Sequence, residues 1–237
     1  MINLLILIPV HGREEVRKVA FSDLMNDQHS KTTIRNGIKL FITHIESAFE
    51  GETLGAKLNR GLSDSKGLNW EYVMVLGSDD LLRSHVWGYI RVAIEEGLRA
   101  FGFNKAYLYD RINHRAKIWD AGPGTFGAGR CVRRDVVKEC GWELWDNAKN
   151  NGIDNSQERI IFDRADYQPI FILDTHIPVI CDIKDNDNLN SFDDVPGLPV
   201  SAQRVRELFP ALSAWPVSRP MWTVTATSEA QGGGFDL

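Results

Sequence analysis

The stretch Trp70-Glu-Tyr-Val-Met-Val-Leu-Gly-Ser-Asp-Asp-Leu-Leu82 limits the fold more than any other part of the chain. Tyr72 to Leu76 is a short apolar run rich in β-forming side chains, the pattern of a strand buried inside an α/β sheet. It stops on Gly77-Ser78-Asp79-Asp80, which leaves two adjacent carboxylates just past the strand's C-terminal end. In open α/β sheets ligands bind at that edge, and a glycine there lets backbone and ligand come close. The pair has two readings. Asp79 and Asp80 either hold a divalent cation against a phosphate-bearing substrate, or cap a helix beginning near Leu81.

A buried strand needs neighbours, and the N-terminal part of the chain supplies them. Ile2 to Val10 is almost continuously hydrophobic, as expected of a strand covered on both faces. It breaks at Pro9-Val10-His11-Gly12-Arg13, and Glu14-Glu15 then open a helix to about Met25, acidic where the helix dipole favours it. A polar linker, Asn26 to Asn36, leads to a second strand, Ile38 to Ile45, followed by Glu46 and a small-residue loop through Gly51. In Thr53 to Leu62, Ala56, Leu58 and Leu62 have helical spacing, while Lys57, Asn59 and Arg60 supply polar groups. The order strand, helix, strand, helix, strand predicts a parallel sheet.

Past the aspartate pair, Val86 to Ala100 has amphipathic helical spacing. Lys105 to Tyr109 and Lys117 to Trp119 read as a hairpin joined by a basic loop. Gly122 to Gly129 is a glycine-rich stretch without the Lys-Ser/Thr of a phosphate-binding P-loop, read here as flexible. Helices are expected over Arg133 to Cys140 and from Gly152 to about Ala165, and late strands at Ile170 to Leu173 and Val179 to Ile183. Asp182-Ile-Lys184 and Asn186 to Asn190 read either as a polar loop folded over the site or as a solvated one.

At 237 residues the chain is one large α/β domain or two small ones. A net charge of -5 argues against a general nucleic-acid coat but leaves a local basic groove open. Cys131, Cys140 and Cys181 are odd in number and lack metal-ligand spacing, which fits reduced thiols in a cytoplasm. The apolar run Leu4 to Val10 is too short to cross a bilayer, so any membrane role is expected to be peripheral.

The run Leu5-Ile-Leu-Ile-Pro-Val-His-Gly-Arg-Glu-Glu15 resembles the first strand and loop of family-two glycosyltransferases. Leu54-Gly-Ala-Lys-Leu-Asn-Arg-Gly-Leu62 followed by Tyr72 to Asp80 is similar to their segment G-x-A-x-N-x-G … L-D-A-D-D. Gly127 to Gly141 resembles their acceptor-side block, and Ile153-Asp154 stands where they carry Glu-Asp. The resemblance spans about residues 3 to 165 and departs twice: Gly77 replaces the motif's first Asp, and the Asp-Asp-Gly-Ser turn after the second strand is missing.

The resemblance implies a GT-A, Rossmann-like α/β fold: a mixed, mostly parallel sheet flanked by helices. It would form one domain over about residues 1–225, with a donor half near 1–100, an acceptor half near 101–195 and a flexible tail at 226–237. It implies a UDP-sugar donor and a Mn²⁺ or Mg²⁺ ion on the diphosphate, with transfer to an acceptor hydroxyl by inversion. Asp79 would be the metal ligand, with His176 as a further one if not simply structural, and Asp80 a catalytic neighbour. Pro9, Val10, His11, Arg13, Glu46, Lys57, Asn59 and Ser78 would face the donor. Asp154 would be the base near the acceptor, a role worth about 10²–10⁴ in rate; its other reading is a helix N-cap, and Asp146 is the alternative base.

For the acceptor, Arg111, Arg115, Trp119 and Arg130 are the expected contacts, with His114, Lys117, Arg133 and Arg134 adding to a basic concentration in an acidic chain. If those groups share a face they suit a polyanion such as hydroxymethylated phage DNA; a lipid carrier or polysaccharide is the alternative. Trp119, Trp142 and Trp145 either stack on a ring or fill the core. A nucleotidyltransferase and a non-catalytic sugar-nucleotide-binding module are the rival functions.

Overall fold

The computed structural model describes residues 1–10, 14–24, 32–166, 170–185 and 191–215. The first apolar run forms β1 (Ile2–Pro9), whose Leu4 to Leu7 are fully buried because helices cover both faces of its sheet. Helix α1 (Glu14–Leu24) buries Val16, Ala20 and Leu24, one stripe at i, i+4, i+8. Strand β2 (Thr32–Arg35) lies antiparallel to β3 (Ile38–Ile45) across Asn36-Gly37. Both turn residues have positive φ, 48° and 80°, the backbone that a two-residue hairpin loop demands and that Asn-Gly supplies. This strand occupies the C-terminal end of what the composition suggested was a polar linker.

Helix α2 (Leu54–Asp64) is capped by Thr53, whose hydroxyl accepts the Ala56 amide at 3.2 Å. It leads to β4 (Tyr72–Val75), parallel to β1 as β3 is on β1's other side. The chain then forms β5 (Asp80–Leu82), and α3 starts only at Val86 (Val86–Glu95). The helix-cap reading of Asp79-Asp80 is therefore overturned: the next residues are drawn into a ladder with a late strand. Next come β6 (Ala100–Gly102), whose first residue was the last of the span expected to be helical, β7 (Lys105–Asp110), β8 (Arg115–Asp120) and β9 (Cys131–Arg133). Helices α4 (Arg134–Glu139) and α5 (Ile153–Ala165) precede β10 (Phe171–Ile172), β11 (Ile180–Lys184), β12 (Leu198–Val200) and α6 (Ala202–Leu208).

Two sheets result, ordered β10-β6-β9-β4-β1-β3-β2 and β12-β8-β7-β11-β5. Alternation along β1 sends Leu4, Ile6 and Ile8 to one core and Leu5 and Leu7 to the other, with α2, α4 and α5 packing on the second. A third core joins α1, one face of the smaller sheet, and Val205, Phe209 and Leu212. No described helix is long and apolar enough to cross a membrane. The residues expected to form a flexible tail lie outside the described ones.

Candidate active site at the seam of the two sheets

Four residues, Leu76-Gly77-Ser78-Asp79, separate β4 in the large sheet from β5 in the small one. Strand β5 pairs antiparallel with β11 in the register Leu82↔Ile180, Leu81↔Cys181, Asp80↔Asp182. That register sets Asp182 opposite Asp80, and the Ile183 amide fastens β11 to the Asp79 carbonyl at 3.1 Å. Asp79, Asp80 and Asp182 each offer a carboxylate oxygen within 4.8 Å of the others. Burial pushes the Asp80 carboxyl well above the ordinary carboxylate range, and the neighbouring charges of Asp79 and Asp182 push it further. Lys184 stands two residues along β11 with its ammonium 2.7 Å from Asp182. Burial opposes that charge, but Asp182, Asp79 and Asp80 outweigh it and hold the lysine's pKa above the usual value.

The donor set suits a hard divalent cation, since it is all carboxylate oxygen. The backbone is shaped to fit it. A Cβ on Gly77 would lie 2.6 Å from Asp79 Oδ1 and 2.9 Å from Asp80 Oδ2, so only glycine leaves both carboxylates their places. The Gly77 amide also donates to Asp80. The glycine that interrupts the family-two motif is thus a cradle, and Asp182 brings a carboxylate to the cluster from a different strand.

These groups form part of the wall of a cavity of about 590 Å³. Ile180, Asp182 and Lys184 of β11 point into it, as alternation requires, while Cys181 and Ile183 face the third core. Ala106 and Leu108 of β7 and Trp119 of β8 extend the same face as an apolar floor, and Trp119 packs on Phe126 with ring centroids 4.4 Å apart. The opposite wall holds Pro9, the 47–52 loop and Lys57. Buried Lys57 donates to the Val10 carbonyl at 2.9 Å. Asp154, at the first turn of α5, closes the far side with Gly127 and Ala128.

The expected site residues divide accordingly. Pro9, Lys57, Ser78, Asp79, Asp80, Trp119 and Asp154 line the cavity, and Val10 lies directly behind Lys57. His11 and Arg13 lie outside the described residues, as does Asn186 to Asn190. Others are elsewhere. Glu46 is exposed, 3.6 Å from Arg17, and its place on the wall is taken by Ser47, Phe49, Glu50, Gly51 and Glu52. Asn59 is buried as a pin, its amide donating to the Trp145 carbonyl and accepting the Leu144 and Trp145 amides. Asp146 caps its own turn through the Ala148 amide, away from the cavity wall. His176 is exposed and belongs neither to the carboxylate cluster nor to the wall. Trp142 packs edge-on against Trp70, and Trp145 is core.

The basic residues are engaged by acidic side chains and backbone carbonyls of the fold. Arg111 reaches Glu15 and Asp185, and Arg115 is held by Asp110 and Asp193. Lys117 is buried on the Phe192 and Val195 carbonyls, and Arg133 binds Asp135. Arg134 spans backbone carbonyls of Lys66 and Leu68 beside the Trp70 ring. Arg130 is fully buried among Thr125, Gln157 and Glu158, so it is no surface contact for an acceptor.

Asp182 is the functional candidate that sequence reasoning did not single out: it fell both at the end of the strand expected over Val179 to Ile183 and at the start of the expected polar loop. Its signal was present: Ile180-Cys-Asp-Ile-Lys184 alternates, with polar residues two apart opposite apolar ones, the pattern of a strand with one polar face.

No family model and no curated protein matches the sequence. Solved structures do match. TarS of S. aureus, residues 1–349 in complex with UDP-GlcNAc, superposes with a TM-score of 0.52 at 12% identity over 79% of this chain. This chain covers 60% of that one. The mannosyltransferase PcManGT of Pyrobaculum calidifontis, in complex with GDP-Man and Mn²⁺, gives 0.47 at 11% identity, covering 76% of this chain and 56% of its own. A197 from STIV gives 0.46 at 12% identity, covering 76% and 83%. With the strand order and the first of these superpositions together, the chain has a GT-A-type fold.

Proposed function

We propose that the chain is a metal-dependent glycosyltransferase that moves a sugar from a nucleotide-diphosphate sugar, with UDP as the nucleotide, to an acceptor hydroxyl. The observation that carries this reading is the convergence of Asp79, Asp80 and Asp182 at the C-terminal edge of β4, in a cavity that Asp154 also lines. Mg²⁺ or Mn²⁺ held by those carboxylates would supply Lewis acidity, offsetting the negative charge that develops on the departing diphosphate. Lys57 and Lys184 bring fixed positive charge to the same cavity, suited to the phosphates.

Asp154 is the base in this reading. Its carboxylate takes the proton of the acceptor hydroxyl as the new bond to the anomeric carbon forms. The bond from that carbon to the diphosphate breaks, and its electron pair leaves on the nucleoside diphosphate. Attack from the side opposite the leaving group inverts the anomeric centre. The Trp119-Phe126 floor gives the site a surface on which a sugar or other ring can lie.

Titration calorimetry with UDP, with and without Mn²⁺, tests the donor half. Binding should require the ion and be lost in Asp79→Asn; metal-independent binding, or none, would remove the transferase reading. For the acceptor, the pairing of the basic groups favours a lipid-linked or saccharide acceptor over a long polyanion. A labelled UDP-sugar should therefore mark a lipid or polysaccharide extract and leave hydroxymethylcytosine DNA unlabelled. Labelling confined to the DNA would reverse that choice.

A further inference from the structure

The glycine-rich stretch and the start of α5 meet closely. A Cβ built on Gly127 would lie 1.9 Å from Asp154 Oδ1, 2.6 Å from its Cγ and 3.0 Å from Oδ2. The Asp154 carboxylate therefore rests in the space a side chain at 127 would fill. Gly122 and Gly129 in the same stretch have positive φ, 63° and 76°, but Gly127 does not. Its backbone accepts any L-residue, so glycine is required there for room and not for conformation.

Arg130 fixes the two sides of this contact. Its peptide N–H bonds the Gly127 carbonyl at 3.1 Å, and its guanidinium donates to the Thr125 carbonyl at 2.6 Å and the Thr125 hydroxyl at 2.8 Å. On the helix side it donates to the Asp154 carbonyl at 2.8 Å, to Gln157 at 2.9 Å and to Glu158 at 2.7 Å. A buried guanidinium with its donors used on both segments is a rigid fork between them. The glycine stretch is anchored in turn to β4, where the Gly129 amide bonds the Val75 carbonyl at 2.9 Å. One path thus runs from the carboxylate cluster, through β4 and the glycine stretch, to the Asp154 carboxylate.

We propose that Gly127 is a positioning residue for Asp154: the missing side chain is the seat of that carboxylate, and Arg130 locks the seat at a fixed place relative to the Asp79-Asp80-Asp182 cluster. The proposal rests on the reading of Asp154 as base. It assigns Arg130 a role behind the cavity wall, in place of contact with the acceptor. It also makes the glycine a constraint on activity in a loop whose other glycines serve the turn.

The test is a double-mutant cycle of wild type, Gly127→Ala, Asp154→Ala and the double variant. It reads melting temperature, UDP binding with Mn²⁺, and hydrolysis of UDP-glucose with water as acceptor. Gly127→Ala should keep UDP binding and KM while kcat falls about 10²–10⁴-fold, the range expected for loss of a positioned base. The acidic limb of its pH profile should flatten, and in the Asp154→Ala background the same change should alter neither kcat nor melting temperature. Wild-type kcat and pH profile in Gly127→Ala, with Asp154→Ala slow, would overturn the seat. Wild-type kcat in Asp154→Ala would instead remove the base reading. The seat would then stand or fall on the melting cycle, since Gly127→Ala should lower the melting temperature only when the aspartate is present. If Gly127→Ala does not fold, the double variant should; failure of both would show that the carboxylate is not what glycine accommodates.

Discussion

At the scale of single residues, the site is a matter of where carboxylates are permitted to stand. Burial, and then the neighbouring charges of Asp79 and Asp182, make Asp80 hold its proton more tightly. A divalent cation relieves the repulsion among the three carboxylates more fully. Gly77 decides whether Asp79 and Asp80 can both keep their places. Gly77→Ala should therefore weaken Mn²⁺ binding about 10–100-fold, as outer supports of a metal site commonly do. Backbone strain should not contribute to that loss, since Gly77 is not in the left-handed region. Manganese titration followed by electron paramagnetic resonance reads this directly, and unchanged affinity would show that the cluster tolerates a methyl group in its cradle.

At the scale of elements, short pieces carry the placement of the site. Strands β1 and β3 and helix α5 were legible because each has a long periodic or continuous pattern that local chemistry enforces. Strands β5, β6, β9 and β12 have three residues each, too few for any period to register, and their pairing is set by partners far along the chain. Asp182 lies in the longer β11, within a span that read as a strand, and what stayed hidden was its register with Asp80, a partner far along the chain. Strand β2 is different: Asn36-Gly37 announced the hairpin, but the polar stretch before it masked the signal. The cavity residues on long elements or motif-like turns, such as Lys57, Asp79 and Asp154, were visible. Buried pins such as Asn59 and Arg130 were not distinguishable from surface polar groups, since sequence carries no burial label for a lone polar side chain.

Helix α4 provides a pH test at this scale. The Arg133 guanidinium holds Asp135, in the first turn, down to about 2, with the Val136 amide adding to the effect. A depressed carboxyl contributes stability that is complete above its unfolded pKa and lost as pH falls through the folded one. The melting-temperature advantage of wild type over Asp135→Asn should thus be full at neutral pH and shrink between about pH 4 and pH 2. A gap that is constant over that range would contradict the assignment.

At the scale of the whole molecule, the smaller sheet is completed by β12 from the segment 191–215, where the sequence pattern suggested no strand. Val205, Phe209 and Leu212 are buried against Tyr107 and Tyr109 on the face of the sheet opposite the cavity, with the Phe209 and Tyr107 rings edge to face at 6.0 Å. Phe209→Ala should cost about 3–5 kcal/mol. Denaturant unfolding measures it, and a loss under about 1 kcal/mol would mean that the segment merely lies on the surface.

The four-residue link between β4 and β5 has a mechanical consequence. It joins two sheets that could in principle swing about each other, yet it sits between ladders on both sides, β4 with β1 and β5 with β11. A hinge there would pull Asp182 away from Asp79 and break the cluster, so the joint acts as a weld. Any widening of the cavity is left to the 47–52 loop, which contributes neither the carboxylate cluster nor the Asp154 seat.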